Sequence, residues 1–322
     1  GLMLYGFSLI YGYTGSLQYN EIAAFLTAQQ GHPPLLLYFT LVLIYAGIAY
    51  KISAFPMHFW TPDVYEGAPT PVVTFFSVGP KAAGFAALIR LFLEVFLVPT
   101  AAGKWAPIEG LDLVPCIALL SAITMVIGNL CAIGQRNIKR MLAYSSIAHV
   151  GYMLMGFVAL DFYGFEAILF YLVAYYLMNI GAFWVVSIVS DLRGHEEIEA
   201  FQGLGWSMPV LGVCMAVFLF SLAGIPMFAG FIGKFLLFGA VLKTPGFLWL
   251  ALLGVLNSVI SLYYYARVLK AMWLDRPQEV SEQRLSFYHG VALIALTIPT
   301  IVLGLYFTPL TQLVAKSLAN IL

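Results

Sequence analysis

Long, unbroken apolar runs are the feature that most limits how this chain can fold. After an apolar opening segment, eight follow one another, at about residues 34–59, 70–98, 112–133, 138–160, 164–190, 207–243, 246–274 and 287–307. Most reach the roughly 20 residues that a helix needs to cross the hydrocarbon core of a bilayer. Lipid offers no partner to a free N–H or C=O, so each run must satisfy its own backbone as a helix. A transmembrane barrel would show alternating apolar and polar residues, and these runs are continuous. The expectation is an all-α integral membrane fold, one polytopic domain over residues 1–322 with short loops. Composition agrees, with 62% hydrophobic and only 9% charged residues, against about 25% charged in a soluble domain. Fifteen basic and fifteen acidic side chains cancel, which leaves no basic surplus for nucleic acid.

The opening segment, residues 1–13, is too short to span and has neither a starting Met nor a basic n-region, so it does not read as a signal peptide. It reads as part of a helix, with further spans expected upstream. Basic residues near span ends give an orientation. Arg136, Lys139, Arg140, Arg193, Lys270, Arg276 and Arg284 fall on one side, and little beyond Lys104 and Lys243 on the other. The first side is expected to be cytoplasmic, together with the loop of Asp63 and Glu66, and Leu322 outward.

Two runs share a layout. Residues 51–60 read KISAFPMHFW, and residues 222–234 read LAGIPMFAGFIGK. Each long apolar run is interrupted by Pro or Gly, with a lysine nearby. The second run, about 37 residues, is too long for one straight span and predicts a helix broken near Gly224 and Pro226. Paired interrupted helices point to inverted repeats around an ion site. Ordinary proline kinks are the plainer alternative.

Charges inside these runs sharpen the question. A lysine at the centre of a membrane helix costs about 2.5–3.5 kcal/mol, so Lys51, Lys81 and Lys234 together would cost on the order of 8–10 kcal/mol if uncompensated. Snorkelling relieves this only near a helix end. Lys81 lies mid-run, just after Pro80, and is the hardest to explain as a structural anchor. Lys51 could snorkel if its helix stopped there. His149 lies mid-run beside Tyr144, Ser145 and Ser146, and imidazole relays protons near neutral pH. Tyr171, Tyr175, Tyr176 and Asn179 in the next run could hold water beside it, or only bond helix to helix. A fixed structural set of lysines would need matching buried carboxylates, and the runs hold almost none beyond Glu94. Arg90 and Glu94, spaced i,i+4, read as a surface pair. Asp63 and Glu66 read as a helix cap or a subunit contact. Cys116, Cys131 and Cys214 read as small buried packing residues. No HExxH, CxxC, Walker or dinucleotide motif is present.

The run from Lys51 through residues 61–71, TPDVYEGAPTP, resembles subunit N of bacterial proton-translocating NADH–quinone oxidoreductase, respiratory complex I. Residues 137–152, NIKRMLAYSSIAHVGY, resemble it too, as do residues 221–235 and 262–267. The resemblance implies an antiporter-like helix bundle of about fourteen helices with inverted repeats and two discontinuous helices. It places Lys51 on the broken seventh helix, Lys81 on the eighth, His149 on the tenth and Lys234 on the broken twelfth, together a proton relay. It implies that the glutamate partnering Lys51 lies upstream of Gly1 and that the first five helices and part of the sixth do too. It implies no cofactor in this chain. FMN, iron–sulfur clusters and quinone would belong to other subunits. The implied partners are a neighbouring antiporter-like subunit, small membrane subunits and the lipid of a bacterial cytoplasmic membrane. An Mrp-type cation/proton antiporter and a purely structural anchor are the alternatives.

Overall fold

The apolar runs become helices almost end to end. The computed structural model describes residues 1–29, 34–99, 105–275 and 285–319. Helices α1 (Leu2–Thr14) and α2 (Tyr19–Ala28) come first. The long runs form α3 (Leu35–Ile52), α5 (Thr70–Leu91), α6 (Val114–Ile133), α7 (Ile138–Met155), α8 (Phe162–Arg193), α12 (Leu248–Trp273) and α13 (Phe287–Leu305). Seven segments among the described residues are long and apolar enough to cross a membrane, one for each of these. Short helices α4 (Trp60–Gly67) and α9 (Leu204–Ser207) lie in connections, and α14 (Thr308–Ala319) follows α13. A π-helical turn at Phe92–Phe96 ends α5 and leads into β1 (Leu97–Pro99), which pairs antiparallel with β2 (Trp105–Pro107). That hairpin, α2 and α14 are too short to leave a hydropathy signature.

The run at 207–243 splits into α10 (Pro209–Ala223) and α11 (Ala229–Leu242). Each half is about 21–23 Å long at 1.5 Å per residue, too short to cross alone. The run at 34–59 also stops early, after Ile52. The two breaks close the same way. Ser53 N–H bonds the Tyr50 carbonyl and Ala54 N–H the Ala49 carbonyl; Gly224 N–H bonds Ser221 and Ile225 N–H bonds Phe220. Both are Schellman caps, with Ser53 at φ 66° and Gly224 at φ 88° in the left-handed region. The Phe55–Pro56 peptide in the first break is cis.

Helix α7 lies at the centre, with nearly every residue buried. Small residues let α6 approach it: a Cβ on Gly128 would meet the Ala148 amide, and one on Gly151 the Met125 amide. Its N-terminus is capped by the Asn137 side chain, which accepts from Arg140 N–H, a contact worth about 1 kcal/mol. Charges gather at this end. Arg140 pairs with both Asp63 and Glu66 of α4, each at 2.7 Å. These two acids were expected as a cap or a subunit contact, and the structure gives them an intrachain partner. Lys139 was expected among the loop charges. It is instead buried, donating to Glu196 (2.7 Å) and the Ala68 carbonyl (2.8 Å). Lys104, Arg276, Arg284 and Leu322, used in the orientation argument, lie outside the described residues.

Candidate functional site

Lys81 sits mid-way along α5 and is 1% exposed. Pro80 takes a backbone donor out of the helix interior beside it. The ammonium donates to the Ser146 hydroxyl (2.5 Å) and carbonyl (3.3 Å) on α7. Tyr175 of α8 donates to the same hydroxyl at 2.9 Å.

His149, also on α7, is flanked by two phenols. Its Nδ1 lies 2.6 Å from the Tyr171 hydroxyl and its Nε2 3.2 Å from the Tyr265 hydroxyl of α12. A neutral imidazole has one donor and one acceptor nitrogen, so one tyrosine donates to the ring while the other accepts from it. Tyr265 also shares a 2.5 Å hydrogen bond with Ser145. The imidazole stands 5.2 Å from the Tyr175 ring and 5.9 Å from the Tyr152 ring, centroid to centroid. It therefore bridges the Lys81 cluster and the neighbourhood of Tyr152.

Lys234 of α11 lies across that neighbourhood, 3% exposed. Its ammonium donates to the Leu222 and Ala223 carbonyls, both at 3.0 Å. These are C-terminal carbonyls of α10, where the helix dipole favours a cation. The third face of the ammonium meets the Tyr152 ring, 4.6 Å from its centroid. Buried amides hold Tyr152: Asn129 donates to its hydroxyl (3.4 Å) and to Asn257 (3.0 Å), and accepts from Tyr264 (2.9 Å). An open, mainly apolar groove of about 330 Å³ is bounded by Gly224, Phe238, Ser258 and Lys234. Close backbone approach keeps the halves together, since a Cβ on Gly230 would stand 1.9 Å from the Ser221 carbonyl.

Lys51 is different. The sequence places it at mid-membrane depth; the structure exposes it in the last turn of α3. The helix ends one residue later, which gives the lysine the helix-end position from which it can snorkel. Its Cβ lies against α5 near Gly84, on the helix that carries Lys81. The structure thus gathers Lys81, His149 and Lys234 around α7, with Lys51 flanking them. Among the described residues, no ion pair includes Lys51, Lys81 or Lys234. No three His, Cys, Asp or Glu side chains among them gather to hold a metal ion.

Residues 1–261 match the family described as NADH:quinone oxidoreductase/Mrp antiporter, transmembrane. The chain belongs to that family. The NADH-quinone oxidoreductase subunit N 2 of Sorangium cellulosum is 50% identical over 329 residues, covering 99% of this chain and 63% of the relative. A chain of respiratory complex I from Thermus thermophilus with bound aureothin superimposes with a TM-score of 0.77 at 35% identity, covering 97% of this chain and 65% of that one. A chain of the Mrp complex from a Dietzia species shares the fold, with a TM-score of 0.85 at 22% identity, covering 99% and 65%. The chain spans a little under two thirds of the length of the curated relatives it matches.

As a member of this antiporter family, the chain is a multi-pass membrane protein. Its Arg90–Glu94 pair forms as expected, at 2.9 Å on the surface. Cys214 is buried as expected, whereas Cys116 and Cys131 face outward, where a membrane helix tolerates any small apolar side chain. The sequence reading missed Tyr152, Tyr265, Asn129 and Asn257. Polar residues inside the runs at 112–133, 138–160 and 246–274 were the available signal. Only the fold shows that they converge on His149 and Lys234.

Proposed function

We propose that this chain is a proton-translocating, antiporter-like subunit of an NADH–quinone oxidoreductase complex in a bacterial cytoplasmic membrane, folded as one polytopic domain. One observation carries the reading. Lys81, His149 and Lys234 are buried near one another with hydroxyls between them and, among the described residues, no carboxylate paired to either lysine. Such groups are expensive in a membrane and mark ion pathways.

The relay runs through groups that both donate and accept. Ser146 takes hydrogen bonds from both Lys81 and Tyr175, and a hydroxyl can accept one proton and release another. The imidazole of His149 accepts at one nitrogen and donates at the other, so a proton crosses the ring without the ring moving far. Lys234 receives it beside the Tyr152 ring. Two ammonium groups in a low-dielectric interior repel, so loading one favours release from the other. Lys51, at the break on the side of α4, serves as the outermost lysine of the same path. Flavin, iron–sulfur clusters and quinone belong to other subunits. A neighbouring antiporter-like subunit and small membrane subunits are the partners.

The test uses the assembled complex in sealed vesicles with NADH. Lys81→Ala and Lys234→Ala are each expected to abolish redox-driven proton translocation while the complex still assembles. Pumping at the parental rate in both would leave a structural anchor. The shared fold with the Mrp chain favours one second reading, a cation/proton antiporter, and sodium-dependent transport by the complex would select it.

A further inference from the structure

The two phenols that flank His149 differ in what else they can reach, and the difference selects one tautomer of the ring. All three side chains are buried, the phenols at 0% and the imidazole at 2% exposure. Tyr265 meets a second hydroxyl, Ser145 at 2.5 Å, besides His149 Nε2 at 3.2 Å. Tyr171 has, among the described residues, His149 Nδ1 alone, at 2.6 Å. Its ring cannot swing to another partner, because α11 presses on it: a Cβ on Gly233 would run into the ring.

A neutral imidazole carries one proton, at Nδ1 or at Nε2. With the proton on Nδ1, Tyr171 would have to accept it, and the hydrogen of the phenol itself would have no acceptor. A buried donor left in that way shifts a population by roughly 5- to 150-fold. With the proton on Nε2, Tyr171 donates to Nδ1 and the ring donates to Tyr265, which keeps its hydrogen bond with Ser145. The distances point the same way. Hydroxyl donors sit at about 2.5–3.0 Å from their acceptors and N–H donors at about 2.7–3.2 Å. The 2.6 Å contact at Nδ1 fits a donating hydroxyl, and the 3.2 Å contact at Nε2 fits a donating ring N–H.

We propose that Tyr171 fixes resting His149 as the Nε2–H tautomer, with the bare Nδ1 turned to α8 and the proton turned to α12. Tyr171 is a positioning residue, since it acts on transfer only through the ring it orients. The tautomer stands on the hydrogen-bond geometry; its effect on flux rests on the relay reading. The acceptor nitrogen faces the helix that carries Tyr175, which bonds the serine holding Lys81. The donor nitrogen faces Tyr265, whose ring lies 4.5 Å from that of Tyr264. Tyr264 donates to Asn129, and Asn129 holds the Tyr152 hydroxyl beneath Lys234. The resting ring is thus polarised from the Lys81 side to the Lys234 side. As an N–H bond forms at Nδ1, Tyr171 turns its hydroxyl to accept from it. The N–H bond at Nε2 then breaks, its proton passes to Tyr265, and the ring is neutral again.

The experiment is solid-state 15N NMR on the assembled complex in lipid, labelled at histidine, with His149 read as the difference from His149→Gln. The parental spectrum is expected to show a protonated Nε2 and a bare Nδ1. Tyr171→Phe keeps the ring against Gly233 and removes only the hydroxyl. Both tautomers should then appear in comparable amounts, which a packing role would not produce. NADH-driven proton translocation should fall about 2-fold, because half of the rings start in the wrong form. Tyr265→Phe should leave the tautomer as it is and slow translocation more, since it removes the acceptor of the proton. A parental ring protonated at Nδ1, or at both nitrogens, overturns the inference. So does a tautomer that survives Tyr171→Phe or that changes with Tyr265→Phe instead. If Lys81→Ala and Lys234→Ala pump normally while the parental ring is Nε2–H, the relay reading fails and the role of Tyr171 in setting the tautomer stands.

Discussion

The two helix breaks use one backbone device and fill it differently. Both end a helix in a left-handed residue with the same pair of capping bonds. After α3 the exposed groups are met by neutral donors and acceptors: Trp60 donates to the Tyr50 carbonyl, Tyr45 to the Phe55 carbonyl, and Phe55 N–H donates to Thr124. After α10 the carbonyls of residues 222 and 223 are met by the Lys234 ammonium. A neutral donor holds its break whatever the protonation of its surroundings. An ammonium loses one of its three donors when it gives up a proton, so the second break is tied to the charge of Lys234 and the first is a fixed scaffold. The lysine that adjoins the first break, Lys51, has stayed outside it.

Five substitutions test that contrast. The largest effect is expected from Gly230→Ala, because the new Cβ would meet the Ser221 backbone. Forcing α11 off α10 should cost about 3 kcal/mol or more, seen as lost assembly on native gels; a normal complex would mean that the two halves do not depend on close approach. Next, Lys234→Met leaves two carbonyls without a partner and should cost about 2 kcal/mol, with proton translocation lost. Lys51→Met, being exposed, should shift stability by less than about 0.5 kcal/mol. Equal thermal midpoints for these two variants would erase the distinction between the breaks. Trp60→Phe removes one neutral hydrogen bond, worth about 1 kcal/mol, and should lower the melting midpoint while proton flux per complex stays intact. A flux loss as deep as that of Lys234→Met would show that the first break is responsive as well. One substitution is expected to gain: Ser53→Gly relieves a left-handed serine and should raise stability by about 0.5–1 kcal/mol.

Much of this was legible beforehand because hydropathy is a local sum. A run of apolar residues must be helical in lipid whatever surrounds it, which gave the seven long helices. A run too long for one span, with Gly224 and Pro226 in it, had to break there. Lys81, far from either end of its run, had no route to the surface, and the i,i+4 spacing of Arg90 and Glu94 needed no tertiary information. The rest depended on how helices rotate against one another, on which the sequence pattern is silent. Lys51 and Lys139 are both lysines near span ends, yet the fold exposes the first and buries the second on Glu196 and Ala68. Cys116 and Cys214 share an apolar setting and face opposite ways. Tyr65 reads as one residue of a loop motif until α4 lays it on Phe183 beside the serine that holds Lys81. Sequence alone determined that this chain crosses a membrane carrying charges it can scarcely afford to bury. Only the tertiary structure decided which of those charges meet, because in a bilayer every helix has an apolar face to spare, and packing selects the faces that turn inward.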